Sequence, residues 1–388
     1  MVDAFTLLLE RCVMATSEVH KGLEGVVADT TAISLVDGDA GRLYYRGYPV
    51  ETLAQHPFAA IVHLILFGEL PGSERLAEVE EYLWHAGRLP PETATALREL
   101  ARHGAHPMAT LQAIVPLLGL DPPDLQLGRS AEEEEGLVIA ARLPAAIALV
   151  HAALEDHPEH PYPHSRRYGE RYLTLMNGVK PSPDEVEVFE CMQTLQLDHG
   201  FNASTFTARV VTSTLAPTSS ALSAAMGALF GPLHGAADQG ALEMALEVEE
   251  AEVAGDFVAH CLQTGRKVLG MGHREYRVVD PRAKIMKAMA RKIALRPEHQ
   301  RIFQTLSAVE AAFVEQTAAK KRALRANMEF YKGVVFLALG IPKEFFTATF
   351  AASRVFGWVA HTTEQREDNR IIRPSALYVG RMRSAVIG

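Results

Sequence analysis

Residues 269–283 read LGMGHREYRVVDPRA, which puts a histidine, His273, directly after a Gly-x-Gly turn. Nine residues later comes Arg282, in an Asp280-Pro281-Arg282 step expected to leave any helix. Glycine lets backbone come close to a ligand. An imidazole and a guanidinium held in rigid, irregular backbone could grip a small carboxylate and donate a hydrogen bond to its carbonyl. Taken alone, the stretch could equally be a solvated surface turn. Two more histidines sit beside glycines where helical patterns break: His199 before Gly200 and His234 before Gly235. Among 16 histidines any single one is more often structural, but three in the same kind of break argue for chemistry. No short spacing such as H-E-x-x-H supports a zinc triad, so no metal is expected. Gly270-Met271-Gly272 is too short for a dinucleotide fingerprint and lacks the Gly-Lys-Ser/Thr of a phosphate loop.

The elements that must position these residues are mostly helical. The clear strand signal is early: 32–36 and 42–46 flank Asp37-Gly38-Asp39-Ala40-Gly41, which predicts a hairpin. Residues 1–25 predict a short helix that runs out at Gly22 and Gly25. Helices are expected over 59–67 (ended by Gly68), 73–85, 92–102 and 144–154, with a loop over 156–169. The acidic run Glu132–Glu135 reads as a solvated helix start. Ser182-Pro183-Asp184-Glu185 is a capping box with proline at the first helical position, and its helix should end near Asp198-His199-Gly200. An Ala- and Ser-rich segment, 214–230, reads as a tightly packed internal helix stopped by Gly231-Pro232. Further helices are expected at 240–265, 281–293, 298–318, 333–339 and 344–365. The fold class is therefore all-α, with a small N-terminal β-hairpin.

The 388 residues suffice for two lobes and a large core. With 48% hydrophobic and 22% charged residues the composition is that of an ordinary globular chain. A net charge of −9 disfavours nucleic acid or an acidic membrane as partner, so an anionic substrate needs local arginines. Cys12, Cys191 and Cys261 form no C-x-x-C pair, which fits a reducing, cytoplasmic setting. No apolar run is read as approaching the roughly 18 residues of a membrane helix, and no signal peptide is read at the N-terminus.

Several stretches resemble the citrate synthase family. They are GLEGVVADTTAISLVDGDAGRLYYRGY (22–48), AHPM (105–108), DHGFNASTFTAR (198–209), GPLHG (231–235), GMGHREYRVVDPRA (270–283), FYKGVVFLALGIP (330–342), SRVFGWVAHTTEQ (353–365) and NRIIRPSALYVG (369–380). The resemblance implies condensation of acetyl-CoA with oxaloacetate, with the coenzyme A thioester as substrate and no separate cofactor. It implies that His273 donates to the ketone oxygen, that His199 contacts the same ligand, and that Arg282 and Arg354 clamp its carboxylates. Arg373 would complete the clamp from the other subunit of a homodimer of the family's short form. His234 would steady the enol oxygen of acetyl-CoA. Gly270, Met271, Gly272 and Arg277 would lie near coenzyme A. The implied architecture is a large helical domain (1–234 and 341–388) with a small domain (235–340) inserted, the site lying in the cleft between them.

The departures from the family pattern are equally informative. Asn327-Met328-Glu329-Phe330-Tyr331 places a glutamate where the family's aspartate base is expected. Ala236-Ala237-Asp238 stands where Gly or Leu, Ala and Asn are usual; Glu275 replaces a small apolar residue and Ser375 a basic one. Glu329 is thus either a misaimed, slow base or one around which the cleft has been rebuilt. A 2-methylcitrate synthase using propionyl-CoA, and a non-catalytic paralogue binding CoA or a dicarboxylate, are the alternatives.

Overall fold

The structure, a computed structural model, describes residues 19–235, 237–273, 275–318 and 324–380, with only the backbone of Ala237 and Asp238. It divides into a terminal unit (Met1–Thr31 with Ile372–Gly388) and a main unit, Ala32–Ile371. In the terminal unit, Lys21–Leu23 form a single 3-10 turn. The rest of the helix expected over 1–25 lies largely outside the described residues.

The main unit opens with the hairpin. Strand β1 (Ser34–Asp37) pairs antiparallel with β2 (Arg42–Tyr45), Ser34 opposite Tyr45 and Asp37 opposite Arg42. The Asp37 carboxylate accepts from the Ala40 N–H at 2.9 Å and closes the turn. A two-residue strand not foreseen, β3 (Tyr48–Pro49), extends the sheet. Buried Tyr45 donates towards the carbonyls of Thr194 (3.1 Å) and Asp198 (3.0 Å), fastening the hairpin to the end of a helix far along the chain.

Helices make up most of the main unit. Among those around the site, α1 (Pro183–Gln196) starts with both halves of the predicted capping box, the Ser182 N–H meeting Glu185 at 2.6 Å. Next come α2 (Ala203–Thr212), capped by Asn202, and α3 (Thr218–Phe230). The last begins later than 214 because Leu215 takes a positive φ and Pro217 stands at the cap. The helix expected over 240–265 is two, Ala237–Val248 and Ala254–Thr264, parted at Glu249, whose φ is +62°. Then follow α4 (Pro281–Ile293), α5 (Glu329–Ala338) and α6 (Phe346–Glu367). Helix α6 is buried along nearly its whole length, Trp358 completely. It packs against α1, α2 and α3.

Two further expectations change. The helix Ala131–Leu154 is, among the described residues, long and apolar enough to span a bilayer, with mean hydropathy 2.0 over its best window, contrary to the sequence reading. Its charges at Glu132–Glu135 and Arg142 and its Pro144 mask that length in the sequence. The same window is 83% buried inside the protein, as in a core helix. Nor is the acidic run at its start solvated throughout. Glu133 and Glu134 are buried, Glu133 in a capping box with Ser130 and Glu134 accepting from the Tyr82 hydroxyl at 2.9 Å.

Candidate active site

Asp198 anchors one wall. It has no exposed surface. Its carboxylate accepts from the Ser34 hydroxyl (2.5 Å) and the Gly200 N–H (3.0 Å) and faces His361 Nε2 of α6 at 3.1 Å. Burial alone would push its pKa up, but His361, Arg354 and the Ser34 hydroxyl outweigh burial and hold it at about 2. A charged, fully buried Asp198 thereby fixes the backbone from which His199 projects. His199 Nε2 lies 3.1 Å from the Tyr276 hydroxyl. Burial, then Arg282, His273 and Arg354, hold this imidazole well below its ordinary pKa, so it is neutral near pH 7.

The opposite wall is built by Gly270–Arg282. Asp280 does not leave a helix but caps one: its side chain accepts from the Arg282 N–H at 3.0 Å, and Pro281 opens α4. The same carboxylate takes Arg282 Nε (3.0 Å) and Nη2 (2.8 Å), so the guanidinium is gripped at two points. Burial lowers the Arg282 pKa, but the Asp280 charge and hydrogen bonds more than offset that and raise it. The Asp280 carboxylate also accepts from the Met328 N–H at 3.2 Å.

His273 belongs to this second wall, its ring 5.3 Å from that of His199 in the first and 4.7 Å from that of Tyr276, centre to centre. Its Nδ1 accepts from the backbone N–H groups of Glu275 (3.0 Å) and Tyr276 (3.2 Å). In the neutral ring the proton must then sit on Nε2. Burial and Arg282 lower its pKa, favouring that neutral form. His273 Nε2 is 3.4 Å from Arg282 Nη2, so two donors stand side by side, placed for one ligand to accept from both.

The Gly270–Gly272 backbone lies beside the segment leading into α5. The Gly272 N–H donates to the Arg325 carbonyl at 2.8 Å and the Asn327 N–H to the Gly270 carbonyl at 2.9 Å. Gly270 has φ +76°, and a Cβ there would come within 2.8 Å of the Phe330 ring, so only glycine fits. Glu329, in the first turn of α5, is thereby presented to the same space, where the helix dipole also favours its charge. Burial raises its pKa, yet Lys332, Arg282 and His273 leave it net lowered and the carboxylate ionised. His234 approaches from the turn after α3. Its Nε2 accepts from the Ser204 N–H at 3.3 Å and lies 2.8 Å from the Ser204 hydroxyl. The neutral ring therefore carries its proton on Nδ1. Burial, then Arg354 and Lys332, put its pKa at about 4. Arg354 of α6 is buried, its Nε donating to the Gln196 carbonyl at 2.8 Å.

The structure thus brings His199, His234, His273, Arg282, Glu329 and Arg354 into one electrostatic neighbourhood. Arg277 stands apart. Its N–H donates to the Gly38 carbonyl at 2.8 Å and its guanidinium pairs with Asp39 of the hairpin turn at 3.0 Å. Arg373 and Ser375 belong to the terminal unit. Ala236 and the side chain of Asp238 lie outside the described residues, and Glu275 is exposed. Sequence reasoning passed over Asp198, Ser204, Tyr276, Asp280 and Lys332. Of these, Asp280 alone carried a readable signal, an acidic cap one residue before proline. Among the described residues, no group of three or more His, Cys, Asp or Glu side chains is arranged to hold a metal ion.

An ionised carboxylate set among neutral imidazoles is the apparatus of general acid–base catalysis, and buried guanidiniums favour carboxylate ligands. The protein is a mostly helical enzyme. It belongs to the citrate synthase family: the family model "Citrate synthase, C-terminal domain" matches residues 22–375. The chain is 36% identical over 367 residues to citrate synthase 2 of Bacillus subtilis, covering 93% of this chain and 95% of that one. It is also 36% identical over 368 residues to a 2-methylcitrate synthase of Shewanella oneidensis, covering 92% and 94%. The citrate synthase of Thermoplasma acidophilum, solved as a ternary complex with carboxymethyl coenzyme A and oxaloacetate, superposes with a TM-score of 0.87. There the identity is 30%, with 96% of this chain and 99% of that one covered.

Proposed function

We propose that this chain condenses acetyl-CoA with oxaloacetate to give citrate and coenzyme A. The observation that carries the reading is Glu329, ionised near neutral His234 and neutral His273. In this mechanism Glu329 takes a proton from the thioester methyl group. The C–H electron pair becomes the enol double bond, and His234 donates from Nδ1 to the thioester oxygen. The enol carbon attacks the ketone carbon of oxaloacetate, whose oxygen accepts from His273 Nε2 while Arg282 and Arg354 hold its carboxylates. Water then cleaves the thioester and releases the thiol.

The formal charges of Arg282, Arg354 and Lys332 cancel those of Asp198, Asp280 and Glu329, so a dicarboxylate gains from one more cation. That supports the family's use of Arg373 from a second copy, and hence a homodimer packed partly through Ala-rich α3. The small lobe is taken as 235–340 and the large as 1–234 with 341–388, closing over the substrates. Coenzyme A would lie along Gly270–Gly272, where its phosphates would compete with Asp39 for Arg277. The proposed setting is cytoplasmic. Equal identity to a 2-methylcitrate synthase favours propionyl-CoA as the second donor to test. The test is thiol release from acetyl-CoA on adding oxaloacetate, repeated with propionyl-CoA. Release with the longer donor alone moves the assignment to 2-methylcitrate, and release with neither sinks the catalytic reading.

A further inference from the structure

Lys332 lies on α5 one turn after Glu329 and is 1% exposed. Residues three apart on a helix share a face. Its ammonium sits 4.2 Å from the centre of the Phe350 ring, and the Arg354 guanidinium 4.7 Å from the same centre, so one ring steadies both cations. Phe350 and Arg354 are a turn apart on α6, which places the Lys332 ammonium where α5 and α6 meet. Burying an ammonium is costly unless a role or a counter-charge offsets it.

We infer that Lys332 is a positioning residue that holds the Glu329 carboxylate ionised and aimed, and stays beside the negative charge as it moves to the thioester oxygen. The inference rests on the proposed role of Glu329 as base. The charged and titratable groups facing Glu329 are Lys332 from its own helix, Arg282 and Asp280 from the start of α4, His273 from the loop before it, His234 from the turn after α3, and Arg354 from α6. Among the cations Lys332 acts on Glu329 most strongly, and it also acts on His234. Its charge is thus felt at both ends of the proton transfer. When Glu329 accepts the methyl proton its charge disappears and reappears on the oxygen at His234. Lys332 gives up no proton, and its field serves the charge in either place.

Lys332→Met keeps much of the stem and removes the charge; Lys332→Arg restores it. Without the charge, burial should win at Glu329. The acid limb of the kcat–pH profile should rise by about one pH unit or more, roughly tenfold in the base's protonation ratio, and return in the Arg variant. KM for oxaloacetate should change by less than about threefold. A structural role would lower kcat at all pH values without moving the limb. The readout independent of turnover is infrared titration of the Glu329 carboxylate band, isolated by difference against Glu329→Gln. A band moved upward by Lys332→Met supports the inference even where no thiol is released, an outcome that would sink the condensation alone. An unmoved band overturns it whatever the activity. If the Met variant does not fold, the same titration of Lys332→Gln decides between the two outcomes.

Discussion

Asp198→Asn removes a charge and almost no volume from a site with no exposed surface. In the native protein the carboxyl titrates at about 2 rather than the ordinary 3.8. By linkage that difference is worth about 2–3 kcal/mol at neutral pH. A depressed native pKa stabilises fully above the unfolded value and fades as pH falls through the native one. The wild-type advantage should therefore be complete at pH 6–7 and shrink by about 1 kcal/mol between pH 5 and pH 3. Asparagine can still accept from the Gly200 N–H but gives His361 and Arg354 no counter-charge, so the neutral-pH deficit should be at least about 2 kcal/mol. Equilibrium urea unfolding of both proteins, at one protein concentration from pH 3 to 7, measures it. Parallel pH curves, or a deficit below about 1 kcal/mol at pH 7, would refute the charged anchor. Because the next residue is His199, oxaloacetate affinity should fall as well.

Glu329→Asp should lower kcat by about ten- to a hundredfold with KM little changed, since withdrawing the carboxylate by one methylene takes it from Lys332 and from its aim. A faster Asp enzyme would mean that the glutamate is the misplaced group. Asp280→Ala strips a buried arginine and the Met328 N–H of their shared acceptor and should cost about 3–5 kcal/mol in denaturant unfolding; a loss under about 1 kcal/mol would contradict the pairing. Calorimetry should find acyl-CoA binding strengthened by oxaloacetate and the reverse to the same factor, whereas equal affinities would argue against a closing cleft.

The hairpin is legible in the sequence because its turn residues and alternating flanks are local signals, and so is the Ser182 capping box. The break at Glu249 is not. A non-glycine residue takes φ +62° there within an acidic, helix-favouring stretch, and its carbonyl accepts from the Thr305 hydroxyl 56 residues away at 3.2 Å. The helix expected over 281–293 is found at Pro281–Ile293, but the grip of its cap residue Asp280 on Arg282 is not legible, because it depends on the folded geometry of the turn. In the site, the Gly-flanked histidines are visible as types, while their individual roles come from motif resemblance. Asp198 and Lys332 escape because nothing local marks them. Their meaning lies in burial beside partners such as Ser34, His361 and Phe350 that come from other elements of the fold.

Asp280 meets the side chain that would hold the dicarboxylate and the backbone N–H one residue before Glu329. On the proposed roles of Arg282 and Glu329, one carboxylate would be common to substrate capture and proton abstraction. A lineage shifting to a new acyl donor could explore residues 236–238 or the lysine on α5 step by step, each change testing a single property. On those roles, any change at Asp280 would strike both properties together.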